Sequence, residues 1–219
     1  MSDTIDQTVL KEILTASKII PVIQIDDLED AVPLALALQS GGLTTLEITL
    51  RTEHGLPAIA AIREQVPGVV VGAGTVLSAQ DYRDAVGAGS EFIVSPGTND
   101  ELLDEARKCD VHFLPGISTA SDMMRVLAAG FATFKFFPAE ASGGVAMLKA
   151  LSGPFTNTAF CPTGGISPVN LADYLALPNV LCVGGTWMVS KTLMAEKNWS
   201  KITELSEQAV SLFDDIREK

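Results

Sequence analysis

LTTLEITLRTEHGLPAIAAIREQVPGVVVGAGT, residues 43–75, reads as a strand, a helix and a second strand in direct succession. In LTTLEITLR (43–51) alternate positions separate by polarity. Leu46, Ile48 and Leu50 are apolar, whereas Thr45, Glu47, Thr49 and Arg51 are polar. Side chains alternate across a strand, so one face suits a covering helix layer and the other points toward something polar. HGLPAIAAIREQVPG (54–68) then carries apolar residues at three- and four-residue spacing, with His54 near the helix start. Gly68 suits a left-handed helix C-cap, and VVVGAGT (69–75) returns to a β pattern. Short connections between such units are the signature of a parallel α/β fold.

The same unit recurs along nearly the whole chain. Further strands are expected at KIIPVIQI (18–25), EFIVSPG (91–97), VHFLPGIS (111–118), FATFKFFP (131–138), TAFCPTGG (158–165) and VLCVGGT (180–186). Helical patterns such as LEDAVPLALALQSGG, SAQDYRDAVGAG and NDELLDEARKCD lie between them, and Gly41, Gly89 and Gly130 are further C-cap candidates. Eight strand–helix units in a 219-residue chain match a single-domain (β/α)8 TIM barrel spanning 1–219. A doubly wound open sheet is the competing architecture. Two helices are left over. IDQTVLKEILTAS is an extra N-terminal helix expected to cover the barrel bottom, and NWSKITELSEQAVSLFDDIREK is expected as the last outer helix.

Composition narrows the function. A formal net charge of -12 disfavours nucleic acid or an anionic membrane as partner. The opening MSDTIDQTVLKEIL lacks a signal peptide's basic and apolar regions, and no apolar run reaches the ~18 residues of a membrane span. The cysteines Cys109, Cys161 and Cys182 have no metal-type spacing and are read as reduced thiols of a cytoplasmic protein. His54 and His112 are far apart, so no metal site is expected.

FATFKFF (131–137) places a lysine within an aromatic strand. An unpaired buried ammonium costs several kcal/mol, so Lys135 must pair, reach water as an edge-strand lysine, or lose its proton. Parity sends Phe134 and Phe136 under the helices and leaves Thr133, Lys135 and Phe137 on the lumen side. Two strands therefore aim a charged residue at the interior, Glu47 from the second and Lys135 from the sixth. Arg51 lies four residues beyond Glu47, at the strand end where barrel active sites are built. A purely structural ion pair is the other reading of the same positions, although barrel interiors are mostly filled with branched apolar residues.

PTGGIS (162–167) and VGGTW (183–187) end the last two expected strands. Loops at these places often bind phosphate through backbone N–H groups. Gly164, Gly165, Gly184 and Gly185 let the backbone approach an anion, the Thr186 hydroxyl would complete the cradle, and Ser167 is placed to cap the next helix. Glycine pairs also end strands for steric reasons. VGAGTV (71–76) lacks the third glycine and the acidic partner of a dinucleotide fingerprint.

These motifs closely resemble the 2-keto-3-deoxy-6-phosphogluconate (KDPG) and 4-hydroxy-2-oxoglutarate aldolase family, which includes the bacterial Entner–Doudoroff enzyme. The resemblance runs from about Lys18 to Trp199 and rests on PVI, LEITLRT, VGAGTV, SPG, PGIST, FKFFPAE, FCPTGGISP and VGGTW. It implies a homotrimeric, cofactor-free and metal-independent class I aldolase. It also implies Lys135 as the Schiff-base lysine and Glu47 as the general acid/base. Arg51 and Thr75 would hold the substrate carboxylate, and Thr163, Pro96 and Phe137 would contact the substrate or line its pocket. Gly164, Gly165, Gly184, Gly185 and Thr186 occupy the phosphate-binding positions. Thr186 departs from the serine expected there, adding a methyl while keeping the hydroxyl.

The chemistry fits the residue types. Cleaving a C–C bond beside a ketone requires an electron sink, which a lysine iminium supplies after attack by the neutral amine. A carboxylate can then take the hydroxyl proton as the bond breaks. The competing readings are an aldolase for the galactonate epimer or for the unphosphorylated substrate, a phosphosugar isomerase or epimerase on the same fold, and a non-catalytic keto-acid-binding module.

Overall fold

The computed structural model describes residues 5–218. Residues 1–4, the start of the segment read for a signal peptide, and Lys219, the last residue of the expected outer helix and of the 1–219 domain, lie outside the described residues. The helix α1 (Thr8–Ser17) is followed by β1 (Ile19–Ile23), a short 3-10 turn at Leu28–Asp30, α2 (Ala31–Ser40), β2 (Thr45–Thr49) and α3 (Gly55–Gln65). Next come β3 (Val70–Gly74), α4 (Ala79–Gly87), β4 (Phe92–Val94), α5 (Asp100–Ala106), β5 (His112–Leu114) and β6 (Gly116–Ile117). The chain continues through α6 (Ala120–Ala128), β7 (Thr133–Phe136), α7 (Gly144–Ser152), β8 (Ala159–Pro162), α8 (Leu171–Leu175), β9 (Val183–Gly185), α9 (Lys191–Ala195) and α10 (Trp199–Arg217).

This is an α/β fold with a curled parallel sheet. Six strands are ordered β5-β4-β3-β2-β1-β9, and β6-β7-β8 form a second, three-stranded sheet. All the described pairings are parallel. Isolated bridges Phe160↔Val180 and Thr163↔Gly184 link the β8 side to the β9 side. The adjacency of β1 and β9, first and last in the chain, is a mark of curling rather than of an open doubly wound order.

Two clusters show the curl from inside and outside. Leu46, Ile48, Phe134 and Phe136 join helix residues such as Leu34, Ile59 and Val126 in the larger core cluster. The opposite face is lined by Ile20, Phe92, Val94, Leu114, Cys161 and Cys182, which pack together with Leu10 and Leu14 of α1. Strands of both sheets thus share one interior, and α1 closes it at one end. Gln7 ties this plug in place: its Oε1 accepts from the backbone N–H groups of Ala132 (2.7 Å) and Thr133 (3.0 Å). The parity reading of the strands and the covering role of α1 hold.

Local expectations failed in three places. VHFLPGIS is two strands, because Pro115 has no N–H to donate and the ladder breaks there into β5 and β6. Its carbonyl still accepts from Lys135 N (2.9 Å), so the two pieces run on as one path. Gly41 is not the left-handed cap of α2. Its φ is -83°, and Gly42 takes the left-handed conformation at 87°. The glycine is needed at 41 because a Cβ would overlap Ser206 and the Thr203 carbonyl on α10. Ser167 does not cap α8 with its side chain. Asn170 is the N-cap residue, but its side chain braces the preceding loop, its Oδ1 accepting from Ser167 N (2.8 Å) and its Nδ2 donating to Gly165 O (3.1 Å).

Candidate active site

β2 and β7 carry the two charged residues into the shared interior. Lys135 and Glu47 are 5% and 4% exposed, which water alone could not sustain for either charge. They satisfy one another: Lys135 Nζ donates to Glu47 Oε1 at 2.8 Å and to Oε2 at 3.1 Å. Gly74 on β3 makes the space for this, since a Cβ there would overlap the Glu47 carboxylate. Gly116 is the β6 register partner of Lys135 and lies against the Pro96 backbone, leaving no room for a side chain. The pair is therefore seated by close backbone approaches on either side. The Lys135 ammonium also sits 5.5 Å from the centroid of the Phe137 ring.

Directly beyond Phe137 opens a cavity of ≈ 740 Å³, large enough for a small phosphorylated metabolite. Arg51 borders it at the end of β2, along with Phe137 and Thr163. Gly164, Gly165, Gly184, Gly185 and Thr186 border it at the ends of β8 and β9. Eight of the twelve residues expected at the site thus share this cavity. Lys135 and Glu47 are not in its lining but lie two residues before Phe137 and Thr49, which are, and Thr75 and Pro96 stand at the ends of β3 and β4 outside it. Thr75 is notable for its backbone. It is a β-branched residue with φ 60°, an arrangement found where surrounding structure holds a residue for a purpose.

The glycine loops are shaped by what they must clear. Gly164 and Gly165 have φ of 103° and 79°, and a Cβ at Gly165 would meet Glu140 at 2.6 Å. Gly184 has no space for a Cβ against the Thr163 hydroxyl, nor Gly185 against the Trp187 ring. The loop after β8 is braced from β7: Ala139 N donates to Thr163 O (2.8 Å) and Glu140 N to Gly164 O (3.1 Å). Tyr174 donates to Glu140 from α8, and burial first, then this hydrogen bond, raises its phenol above the ordinary range. The Thr163 hydroxyl is buried without a hydrogen-bond partner, the state expected of a group reserved for a ligand or water.

Sequence reading missed the far rim of the cavity. Trp187, Ser190, Lys191 and Lys197 line it from the segment around α9, opposite Asp27 and Asp30 of the loop after β1. Lys197 Nζ bridges that gap, 2.8 Å from Asp30 and 3.5 Å from Asp27. No local pattern marks these residues, because they meet only when the first and last strands pair.

A buried lysine paired with a carboxylate near a cavity bordered by an arginine and glycine loops, on a parallel α/β scaffold, is the layout of an enzyme for small anionic substrates. The chain belongs to the KDPG and KHG aldolase family, whose model matches residues 10–205. A Pseudomonas aeruginosa protein named 2-dehydro-3-deoxy-phosphogluconate aldolase is 51% identical, over 92% of this chain and 91% of its own. The KHG/KDPG aldolase of Escherichia coli is 48% identical, over 93% of this chain and 96% of its own. Among solved structures, the KDPG aldolase of Legionella pneumophila, with pyruvate captured at low pH as a covalent carbinolamine, superposes with a TM-score of 0.89. It is 46% identical, covering 91% of this chain and 97% of that one.

Proposed function

We infer that the chain is a class I aldolase cleaving 2-keto-3-deoxy-6-phosphogluconate to pyruvate and glyceraldehyde 3-phosphate, and 4-hydroxy-2-oxoglutarate to pyruvate and glyoxylate. The observation that carries this is the buried 2.8 Å contact between Lys135 and Glu47 near the cavity. The covalent carbinolamine in the Legionella protein supports the same chemistry, and the KHG/KDPG name of the E. coli relative supports the second substrate.

The contact gives the reaction its starting point. Transfer of one proton from Lys135 to Glu47 yields a neutral amine and a carboxylic acid in a single step, without a separate base. The amine attacks the C2 ketone to form a carbinolamine. Loss of the hydroxyl as water, with Glu47 donating the proton, leaves the iminium. Glu47, now a carboxylate, accepts the C4 hydroxyl proton. The C3–C4 electron pair then flows into the iminium, and the aldehyde leaves. Reprotonation of the enamine at C3 and hydrolysis of the iminium release pyruvate and restore Lys135. Arg51, with Thr75, holds the carboxylate so that C2 faces Lys135, and Thr163 and Phe137 shape the space around the reacting carbons. Gly164, Gly165, Gly184, Gly185 and Thr186 receive the phosphate, while Pro96 holds the pocket wall beside Gly116.

The two sheets act as one closed (β/α)8 barrel over a single domain. The β8–β9 bridges on one side and the unbroken path through Pro115 on the other support this. A cytoplasmic homotrimer carries over from the family. Free thiols at Cys109, Cys161 and Cys182 suit a reducing compartment, and exposed apolar residues such as Leu77 and Met124 are available to an interface.

The test is direct assay of both products. Pyruvate and glyceraldehyde 3-phosphate should form in equal amounts from KDPG, with activity retained in excess chelator. A chelator-sensitive reaction, or isomerisation without pyruvate, would refute the class I reading. Parallel assay of the galactonate epimer separates the two stereochemical alternatives.

A further inference from the structure

We propose that Lys191 is the cation that selects the phosphorylated substrate. The proposal rests on the aldolase reading above and adds to it a residue outside the family's glycine loops. The cavity presents three cations, Arg51, Lys191 and Lys197, and three carboxylates, Asp26, Asp27 and Asp30. Lys197 is engaged with Asp27 and Asp30. Asp26 accepts from Gln24 Nε2 at 2.7 Å. Among the described residues, no carboxylate stands within ion-pair distance of Arg51 or Lys191. The cavity therefore offers two uncommitted cations.

The substrate has two anionic ends, and their positions are set by the chemistry. The carboxylate adjoins C2, which must reach Lys135, so it belongs with Arg51 at the end of β2, the strand that carries Glu47. The phosphate is at the other end of the molecule, among the glycine loops. Lys191 shares the cavity with those loops and lies five residues beyond Thr186, at the start of α9. Backbone N–H groups and the Thr186 hydroxyl supply direction but no net charge. In a protein of net charge -12 the long-range field repels a dianion, so a local ammonium is the feature that favours it. Lys191 is exposed, so its contribution is screened by salt and modest, roughly three- to tenfold at low ionic strength.

The experiment compares wild type, Lys191→Met and Lys191→Arg on KDPG and on 4-hydroxy-2-oxoglutarate, at low and at high salt. The preference for KDPG, expressed as the ratio of kcat/KM values, should fall roughly three- to tenfold in Lys191→Met at low salt. The loss should fall on KM, shrink at high salt, and be largely rescued in Lys191→Arg. Competitive inhibition by inorganic phosphate should weaken in parallel. A preference and a phosphate inhibition that survive Lys191→Met unchanged overturn the proposal while leaving the phosphate loops standing. A wild type without any preference for KDPG removes the phosphate reading itself, and Lys191 with it.

Discussion

The interior of the curled sheet holds two adjoining regions, one apolar and one charged, and they obey opposite rules. At the α1 end, Ile20, Phe92, Val94, Leu114, Cys161 and Cys182 pack against Leu10 and Leu14 in a dry apolar plug. Beside them, Lys135, in register with Cys161, and Glu47 are buried to a similar degree as a charged pair. Apolar packing is worth about 25 cal/mol for each Å² removed from water, whereas a buried ion pair is often no better than apolar residues of the same volume. The plug therefore contributes to the fold, and the proposed mechanism gives the pair a reason to be there other than stability.

Substitutions in the two regions should separate stability from turnover. The largest effect belongs to Glu47→Gln, which keeps the shape but neither accepts nor returns a proton. Turnover should fall on the order of 10²- to 10⁴-fold with only a small change in melting temperature. A variant near wild-type rate would remove the acid/base role and leave the pair structural. At the plug, Leu114→Ala should cost about 2–5 kcal/mol by denaturant unfolding while the folded fraction turns over normally. If kcat fell as steeply as stability, the apolar and charged regions would be coupled.

Smaller effects test the rim. Gly165→Ala forces a Cβ toward Glu140 from a backbone at φ 79°. It should lower kcat/KM for the phosphorylated substrate about tenfold or more, relative to the unphosphorylated one. An equal loss on both substrates would show a general distortion rather than a phosphate cradle. The smallest change is Thr186→Ser, which keeps the hydroxyl and removes the methyl. It should alter KM for KDPG by no more than about threefold, and a larger shift would mean that the methyl shapes the site.

Much of this was legible in the residues because it depends on short-range geometry. Alternation in LTTLEITLR and FATFKFF was enough to send Glu47 and Lys135 to the same interior, and glycine pairs at two strand ends marked the loops that border the cavity. The role of α1 as a cover also followed from its place before the first strand. What failed had both distant and local causes. Gly41 is dictated by Ser206 and Thr203, more than a hundred residues away, rather than by the helix it ends. Ser167 failed as a cap for a local reason: its backbone N–H is held by Asn170, which also braces Gly165 O, and no side chain caps α8. Pro115 was visible in VHFLPGIS, and its missing N–H could have foretold the break between β5 and β6. The α9 rim with Lys191 and Lys197 has no local signature. It becomes part of the site only because β9 pairs with β1.

The central claim is that the buried lysine is the nucleophile, and one measurement addresses it directly. Borohydride should be added to the protein with pyruvate, and the product mapped by peptide mass. A reduced, stable adduct on Lys135, absent in Lys135→Ala, is expected. An adduct on another lysine, or none in the wild type, would contradict it.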